Sequence, residues 1–205
     1  ENADEQDQND NLEGDSEKKA VQLLENVHKI LNKYNFKFWL DGGTLLGAIR
    51  DGKLIPWDHD LDLGIEFSSE TELEVLINSL RKKFYVRALG FSKKEGVWNL
   101  GKYRIIKVYN RKLKFFREKL CLDIFIFYRE PIHLNDKIVY KYGVWDQNAY
   151  YDHNLIDNLK QTKFYGQNYN IPGNTNEYLK AKYGESWKTP KKEWNVVLDD
   201  KSILR

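Results

Sequence analysis

Residues 37–65, KFWLDGGTLLGAIRDGKLIPWDHDLDLGI, constrain this 205-residue chain more than any other segment. Apolar residues alternate with Asp60, Asp62 and Gly64, and this alternation predicts a strand over residues 61–67 with one face in a core. Residues two apart in a strand project from the same face, so the carboxylates of Asp60 and Asp62 are expected to converge above a sheet.

This pair of carboxylates predicts a cation site. Like charges held close together are costly unless a cation neutralises them. Mg²⁺ selects carboxylate oxygens together with substrate phosphates, and Mn²⁺ accepts the same donors. An EF-hand is excluded because, counted from Asp58, its sixth and twelfth positions hold Leu63 and Ser69 in place of Gly and Glu. A solvated acidic turn remains the alternative that the spacing alone leaves open.

The segment before the acidic strand predicts an anion site. Phe36–Leu40 is typical of a short strand, and the pair Gly42 and Gly43 with Thr44 opens a predicted helix that ends at Arg50. Glycines let backbone N–H groups approach an anion, and a helix start favours negative charge. We therefore expect these three residues to bind a substrate phosphate.

Two flanking residues are further candidates for the substrate site. Arg50 is a candidate for a bidentate phosphate contact, with a plain surface arginine as the alternative. Asp58 lies just before the strand and is a candidate for the acceptor hydroxyl, for the metal or for a cap. Its neighbour His59 is expected to point away from the acids.

A second acidic strand is predicted in CLDIFIF, where Asp123 stands between apolar neighbours. A lone Asp on an apolar strand is disfavoured unless it is paired, hydrogen-bonded or bound to metal. A strand-end Asp satisfied by the backbone is the alternative. Beside the first acidic strand, Asp123 is the natural third carboxylate of the cation site and a candidate general base.

The runs GGTLLGAIR and IPWDHDLDLGI resemble the signature of the LicD/fukutin family, which has the nucleotidyltransferase fold. Residues 121–128 and the segment from Ile171-Pro172 through EYLKAKYGESWKTP (177–190) are also similar to that family. The resemblance implies a third acid on a strand next to the acidic pair, in agreement with Asp123. Some animal relatives carry a cysteine-rich zinc loop, which the single Cys121 excludes here.

The resemblance also implies an activity. Family members transfer a phosphorylated alcohol, such as phosphocholine or ribitol phosphate, from a CDP-linked donor to a glycan, so the expected partners are a CDP-alcohol and a glycan or glycoconjugate. Asp60, Asp62 and Asp123 would hold Mg²⁺ and carry the catalysis. The alternatives are transfer of a nucleotide from an NTP to an alcohol, and a non-catalytic scaffold that binds a glycan or nucleotide.

The remaining pattern predicts one α/β or α+β domain, a nucleotidyltransferase-like mixed sheet flanked by helices. Residues 1–16 are predicted to be a disordered acidic stem or linker and residues 17–205 the folded domain, with Ser16 as the cap of the first helix. Further helices are expected from Ser69 and over 177–183, and further strands over 84–89, 103–109 and 121–128. Residues 111–117 are expected to form a charged hairpin loop. The region 145–170 has no clear periodicity and stays unassigned.

Charge and composition restrict the classes of partner that can be expected. The first 17 residues carry eight acidic and no basic side chains, which leaves 33 basic against 23 acidic residues in the remainder. Such a body suits phosphate-bearing ligands, and since no nucleic-acid recognition module is visible, no nucleic acid is expected. Membrane association is expected only through an anchor upstream of Glu1. The compartment would be the secretory pathway (the Golgi lumen) in a eukaryote and the cytoplasm in a bacterium.

Overall fold

The computed structural model of the protein describes residues 11–92, 101–113, 116–131, 137–145 and 147–203. They form a mixed sheet of seven strands, a separate two-stranded sheet and flanking helices, which confirms the predicted fold class. The helices are α1 Asp15–Lys33, α2 Gly42–Arg50, α3 Glu70–Arg81, α4 Thr175–Tyr183 and α5 Val196–Asp199, with a 3₁₀ turn at His153–Leu155. The strands are β1 Phe38–Leu40, β2 Asp60–Glu66, β3 Tyr85–Gly90, β4 Tyr103–Leu113, β5 Phe116–Pro131, β6 Ile138–Val144, β7 Gln147–Asp152, β8 Leu159–Phe164 and β9 Gln167–Pro172.

The order of the strands puts the two acidic strands side by side. The main sheet runs β1-β2-β5-β4-β3, and β6 and β7 extend it from the far end of β5. The pairing of β2 with β5 is parallel, whereas β1–β2, β5–β4, β4–β3 and β5–β6 are antiparallel. β5 is long enough to pair with β2 and β4 through one part and with β6 through its last residues, Tyr128–Pro131.

The helices α1 and α3 pack against one side of the main sheet. The buried residues of α1 and of α3 belong to the same apolar cluster as the inner residues of β2, β4 and β5. α3 starts where the sequence predicts, because the Ser69 hydroxyl accepts a hydrogen bond from the Glu72 N–H, a helix cap. α4 ends, as predicted, at Gly184, whose φ of 79° suits glycine. None of the helices in these described ranges is long and apolar enough to cross a membrane.

The folded domain begins earlier than the sequence suggests. Leu12 is only 2% exposed and its N–H donates to the Asp58 carbonyl oxygen over 3.1 Å. α1 begins at Asp15 after Gly14, so Ser16 lies inside the helix and is not its cap. The boundary at residue 16 was therefore too late, because one leucine in an acidic, polar run carries no periodicity. Residues 1–10 lie outside the described residues, and their disorder stays a prediction.

Two other regions differ from the sequence predictions. Residues 111–117 are not all a loop: Arg111 and Lys112 lie in β4 and Arg117 in β5, while Lys114 lies outside the described residues. The unassigned region 145–170 contains β7, the 3₁₀ turn, β8 and the start of β9. The hairpin of β8 and β9 turns at Tyr165 and Gly166, both with positive φ, which is the backbone of a two-residue I′ turn.

The burial of Leu12 gives a first test. Leu12→Ala should lower the free energy of unfolding by about 2–4 kcal/mol, because a fully buried leucine leaves a cavity when it is truncated. Chemical denaturation of the whole chain measures this. Leu198→Ala, at a leucine that is 67% exposed, is the matched control and should change stability by less than about 0.5 kcal/mol. Equal effects of the two substitutions would show that residues 11–14 do not pack on the domain.

Candidate active site

Parallel pairing of β2 with β5 brings the three predicted carboxylates to one face of the sheet. Asp62 is the register partner of Asp123, and Asp60 lies two residues earlier on β2. Neighbouring strands are about 4.8 Å apart, so the side chains of Asp60, Asp62 and Asp123 lie close to one another. Asp123 is buried, whereas Asp60 and Asp62 are half-buried. The sequence prediction that these acids share one face is confirmed.

The start of α2 is joined to Asp62 by three hydrogen bonds. The Gly43 N–H donates to Asp62 Oδ2 over 2.8 Å, and the Asp62 N–H donates to Thr44 Oγ1 over 2.8 Å. The Asp41 N–H donates to the Asp62 carbonyl oxygen over 3.1 Å. Thr44 is buried, and its hydroxyl connects helix to strand. In this arrangement the anion that the helix start accepts is a carboxylate of the protein itself.

The glycine pair is required by how closely two carboxylates approach it. A Cβ on Gly42 would lie 2.2 Å from Asp62 Oδ2, and a Cβ on Gly43 would lie 2.1 Å from Asp58 Oδ2. Gly42 also has a φ of 49°, which disfavours other residues. Asp58 therefore belongs to the same cluster as Asp62. Of the predicted substrate-binding residues, the structure brings together Gly42, Gly43, Thr44 and Asp58.

Arg50 is not brought to that cluster. It is the last residue of α2, about 12 Å along the helix axis from Gly42. Its guanidinium binds the neighbouring carboxylate, with Nε 2.9 Å from Asp51 Oδ1 and one terminal nitrogen 2.7 Å from Asp51 Oδ2. In this conformation Arg50 is held by Asp51, at the opposite end of the helix from the glycine pair.

The electrostatics of the cluster show how far it departs from ordinary carboxylates. Burial raises the pKa of Asp60 well above its usual range, and the charges of Asp58 and Asp123 raise it further. Burial also raises the pKa of Asp62 well above its usual range, with contributions from Asp60, Asp58 and Asp123. The pKa of Asp58 is raised mainly by burial. The neighbouring carboxylates therefore make Asp60 and Asp62 harder to ionise, which is the situation that a bound cation relieves.

The one cation in contact with the three central acids, among the interactions described, is Lys107 of β4. Its Nζ lies 2.8 Å from Asp123 Oδ2, and the Cys121 thiol donates to Asp123 Oδ1 over 2.8 Å. Burial lowers the pKa of Lys107, but the charges of Asp123 and Cys121 and the hydrogen bond to Asp123 together outweigh it, so the pKa is raised above its usual range. Both oxygens of Asp123 are thus oriented, although a carboxylate retains further lone pairs for another ligand.

Sequence reasoning did not identify Asp41 or Tyr183 as candidate site residues. Asp41 is buried, occupies the cap position of α2 and accepts a hydrogen bond from the Tyr178 hydroxyl over 2.8 Å. An acidic residue directly before a helix start was the available signal. The ring of Tyr183 lies 4.8 Å from that of Trp194. Burial raises the pKa of Tyr183 well above its usual range; the charge of Lys182 opposes this, and the charges of Asp62 and Asp58 raise the pKa further.

The donor set fits Mg²⁺ bound together with a substrate, not a closed protein cage. In the described ranges, no three or more His, Cys, Asp and Glu side chains are placed so that they could hold a metal ion by themselves. Mg²⁺ commonly takes one or two carboxylates, several waters and substrate phosphates. Asp60 and Asp62, with their mutual repulsion and the glycine approach beside them, match that pattern.

The family profile described as LicD/FKTN/FKRP, nucleotidyltransferase domain, matches residues 35–174, more than half of the chain. The chain belongs to this family. It is 32% identical over 181 residues to the human ribitol-5-phosphate transferase FKTN, a match that covers 87% of this chain and 35% of that protein. The residues that the family profile matches include Asp58, Asp60, Asp62 and Asp123.

Two bacterial proteins are also similar. The chain is 34% identical over 155 residues to an uncharacterized protein of Rickettsia prowazekii, covering 73% of this chain and 49% of that protein. It is 42% identical over 44 residues to the lipopolysaccharide cholinephosphotransferase LicD of Haemophilus influenzae, covering 22% of this chain and 17% of that protein. The chain therefore spans less than half the length of each of these relatives.

The raised pKa values predict how stability depends on pH. A carboxyl whose pKa is raised by folding stabilises the fold below its unfolded pKa of about 3.9, and this contribution is lost as the pH rises through the folded pKa. Asp60→Asn keeps the shape and removes the charge. In EDTA, the free energy of unfolding of Asp60→Asn should exceed that of wild type by at least about 1 kcal/mol at pH 8 and match it near pH 4.

Asp15→Asn is the control, because the Asp15 side chain is 89% exposed and should leave the pH dependence unchanged. Urea denaturation across this pH range measures both variants. A constant difference between Asp60→Asn and wild type at every pH would contradict the repulsion described here.

Proposed function

We propose that this protein transfers a phospho-alcohol, of the phosphocholine or ribitol-phosphate type, from a CDP-linked donor to a hydroxyl of a glycan, with Mg²⁺ as its cofactor. The observation that carries the proposal is the convergence of Asp60, Asp62 and Asp123 beside the glycine pair. The names of the relatives FKTN and LicD, a ribitol-5-phosphate transferase and a lipopolysaccharide cholinephosphotransferase, support the phospho-alcohol and the glycan acceptor.

Asp60 and Asp62 are the residues that would hold Mg²⁺, with Asp58 at the mouth of the cluster. The cation would supply neutralisation of the charge on the donor diphosphate, including the charge that develops on the leaving phosphate. The glycine pair lets the carboxylates of Asp62 and Asp58, and with them the cation they would hold, come close to the start of α2. The Gly43 N–H at that helix start is already bound to Asp62. This hydrogen bond fixes the orientation of the carboxylate that would bind the metal.

Asp123 would act as the general base. Its carboxylate is fixed by Lys107 and the Cys121 thiol, so it points at one place on the acid-bearing face. The glycan hydroxyl attacks the phosphorus nearest the alcohol, and its proton passes to Asp123. The new O–P bond forms as the bond from that phosphorus to the bridging oxygen breaks, and CMP leaves with the electron pair. No pyrophosphate is formed in this reaction.

The by-product separates this proposal from nucleotide transfer. With Mg²⁺ and an acceptor glycan, a panel of CDP-alcohols including CDP-choline and CDP-ribitol should release CMP, and NTPs should release no pyrophosphate. CMP and pyrophosphate are assayed separately in the same reactions. Pyrophosphate from an NTP, with no CMP from any CDP-alcohol, would contradict the proposal and favour nucleotidyl transfer. If neither CMP nor pyrophosphate is released with any donor, a binding scaffold is favoured.

Substitution of the acids tests the assignment of the site. Asp62→Asn and Asp60→Asn should each lower CMP release about a hundredfold or more, equivalent to about 3 kcal/mol of transition-state stabilisation, because the charge that holds the cation is gone. Asp15→Asn should retain the wild-type rate. Circular dichroism checks that the variants are folded. Retained activity in both Asp60→Asn and Asp62→Asn would place the metal elsewhere.

A further inference from the structure

Residues 200–203, the C-terminal segment, are packed between α4 and β7. The Lys201 N–H donates to the carbonyl oxygen of Lys182 in α4 over 2.8 Å. Ile203 forms an antiparallel bridge with Ala149 of β7. The main chain of the C-terminal segment is therefore attached to a helix on one side and to a strand of the main sheet on the other.

The C-terminal segment carries a carboxylate into the protein interior. Asp200 is 0% exposed, and its Oδ2 lies 3.1 Å from Nζ of Lys182, whose side chain is 11% exposed. Asp200 Oδ1 accepts hydrogen bonds from the N–H and the hydroxyl of Ser202 over 2.9 Å and 2.6 Å. No hydrogen bond from a described residue reaches Asp200 Oδ2, so the Lys182 ammonium compensates this oxygen through its charge. Removing Lys182 alone would leave a buried carboxylate without compensation.

A stack of buried tyrosines connects the C-terminal segment with the start of α2. Ser202 Oγ lies 2.7 Å from the hydroxyl oxygen of Tyr142. The ring centres of Tyr142 and Tyr151 are 5.5 Å apart, and those of Tyr151 and Tyr178 are 4.2 Å apart. The Tyr178 hydroxyl donates to Asp41 Oδ1 over 2.8 Å. A continuous series of contacts therefore leads from the C-terminal segment to the residue before α2.

The ammonium group of Lys182 compensates two buried carboxylates. Tyr178 and Lys182 are four residues apart in α4 and lie on the same face of the helix. Because Tyr178 binds Asp41, Lys182 lies one helical turn from that contact. Burial raises the pKa of Asp41, whereas the charge of Lys182 and the hydrogen bond from Tyr178 lower it. Lys182 therefore stabilises the ionised form of Asp41 as well as the carboxylate of Asp200.

Asp41 connects this part of the interior to the acid cluster through its main chain. Its N–H donates to the carbonyl oxygen of Asp62 over 3.1 Å, and it directly precedes Gly42, at which α2 begins. The Gly43 N–H, one residue further on, binds Asp62 Oδ2. A displacement of Asp41 would therefore move both backbone groups that orient Asp62.

We propose that Lys182 is a positioning residue for the cation site. By compensating the buried carboxylate of Asp41, its charge holds the start of α2 against β2 and keeps Asp62 in its orientation toward Gly43. The C-terminal segment supplies Asp200 to hold Lys182, so it takes part in the architecture of the site although it lies outside the matched residues 35–174. This inference rests on the proposed function, since it concerns the metal site of that reaction.

Amide hydrogen exchange, measured by NMR on the metal-free protein in EDTA, tests the positioning without turnover. The double variant Lys182→Met with Asp200→Asn removes both charges of the ion pair, which costs less stability than leaving one of them buried. Asp41 then lacks its ammonium. Relative to the amide of Leu76 in α3, which is buried and reports global unfolding, the amides of Asp41 and Gly43 should exchange about tenfold faster or more than in wild type.

Two further variants separate charge from packing. Asp200→Asn alone leaves the Lys182 ammonium available to Asp41 and should keep slow exchange at Gly43. Adding Asp41→Asn to the double variant removes the carboxylate that needs Lys182, keeps an oxygen for the Tyr178 hydroxyl, and should restore slow exchange at Gly43. Fast exchange at Gly43 in Asp200→Asn, or no rescue by Asp41→Asn, would show that lost packing is responsible and would overturn the proposal.

Lys180→Met is the matched control, since Lys180 is a lysine of the same helix whose Nζ lies 2.9 Å from the carboxylate of exposed Glu185. It should leave exchange at Gly43 unchanged. An equal acceleration in Lys180→Met would overturn the proposal. So would equal acceleration at Gly43 and Leu76 in the double variant, or exchange in the double variant that does not differ from wild type.

Mn²⁺ binding distinguishes this proposal from the proposed function. With CDP-choline present, electron paramagnetic resonance should show Mn²⁺ binding about tenfold weaker or more in the double variant than in wild type, because residues that orient a metal ligand affect affinity to this extent. Equal affinity would leave the metal site intact and overturn the positioning role of Lys182. A wild-type protein that binds no Mn²⁺ would contradict the proposed function, and the exchange experiment would then decide by itself whether Lys182 positions the start of α2.

Discussion

The hydrogen bond from the Gly43 N–H to Asp62 Oδ2 is the contact on which the arrangement of the site depends. It places a carboxylate at the start of α2, where the helix favours negative charge. It also fixes the helix against β2, and through β2 the position of Asp60 and the pairing with Asp123. The glycine pair follows from this contact, because any side chain at Gly42 or Gly43 would occupy the space of Asp62 or Asp58.

This construction concentrates negative charge and compensates only part of it. Lys107 neutralises Asp123, whereas the pKa values of Asp60 and Asp62 are raised well above their usual range by burial and by the neighbouring carboxylates. Such an arrangement costs folding stability unless a ligand cation is present. The same asymmetry gives the face a direction, with Asp60 and Asp62 on β2 at one end and the ion pair of Asp123 and Lys107 on β5 and β4 at the other.

The sequence revealed the parts of the site that are local, and missed those that depend on tertiary pairing. Alternation around Asp60 and Asp62 was sufficient to predict β2 and its acidic face, and Asp123 stood out as the one polar residue in an apolar strand. Asp41 was missed because its partner, Tyr178, is 137 residues away. The ion pair of Asp123 with Lys107 was missed for a similar reason, since the pairing of β5 with β4 and its register do not follow from local periodicity. The proximity of Arg50 to the glycines in the sequence was misleading, because α2 separates Arg50 from Gly42 by the length of the helix.

The hairpin of β8 and β9 shows how a tertiary contact overrides local turn chemistry. A two-residue I′ turn is normally marked by Asn-Gly or Asp-Gly, and here Tyr165 takes the first position with a φ of 44°. The Tyr165 hydroxyl accepts a hydrogen bond from the Leu54 N–H over 3.0 Å and donates one to Glu17. These bonds tie the hairpin to α1 and to the loop that leads into β2, and they outweigh the backbone preference at Tyr165.

The central claim is that Asp60 and Asp62 hold a divalent cation together with the donor phosphates. Electron paramagnetic resonance of Mn²⁺, titrated into the protein with and without CDP-choline, tests it most directly. The account predicts one tight Mn²⁺ per chain that requires CDP-choline, is displaced by Mg²⁺, and is lost in Asp62→Asn but retained in Asp15→Asn. Tight Mn²⁺ binding of the same affinity in Asp62→Asn and wild type would contradict it.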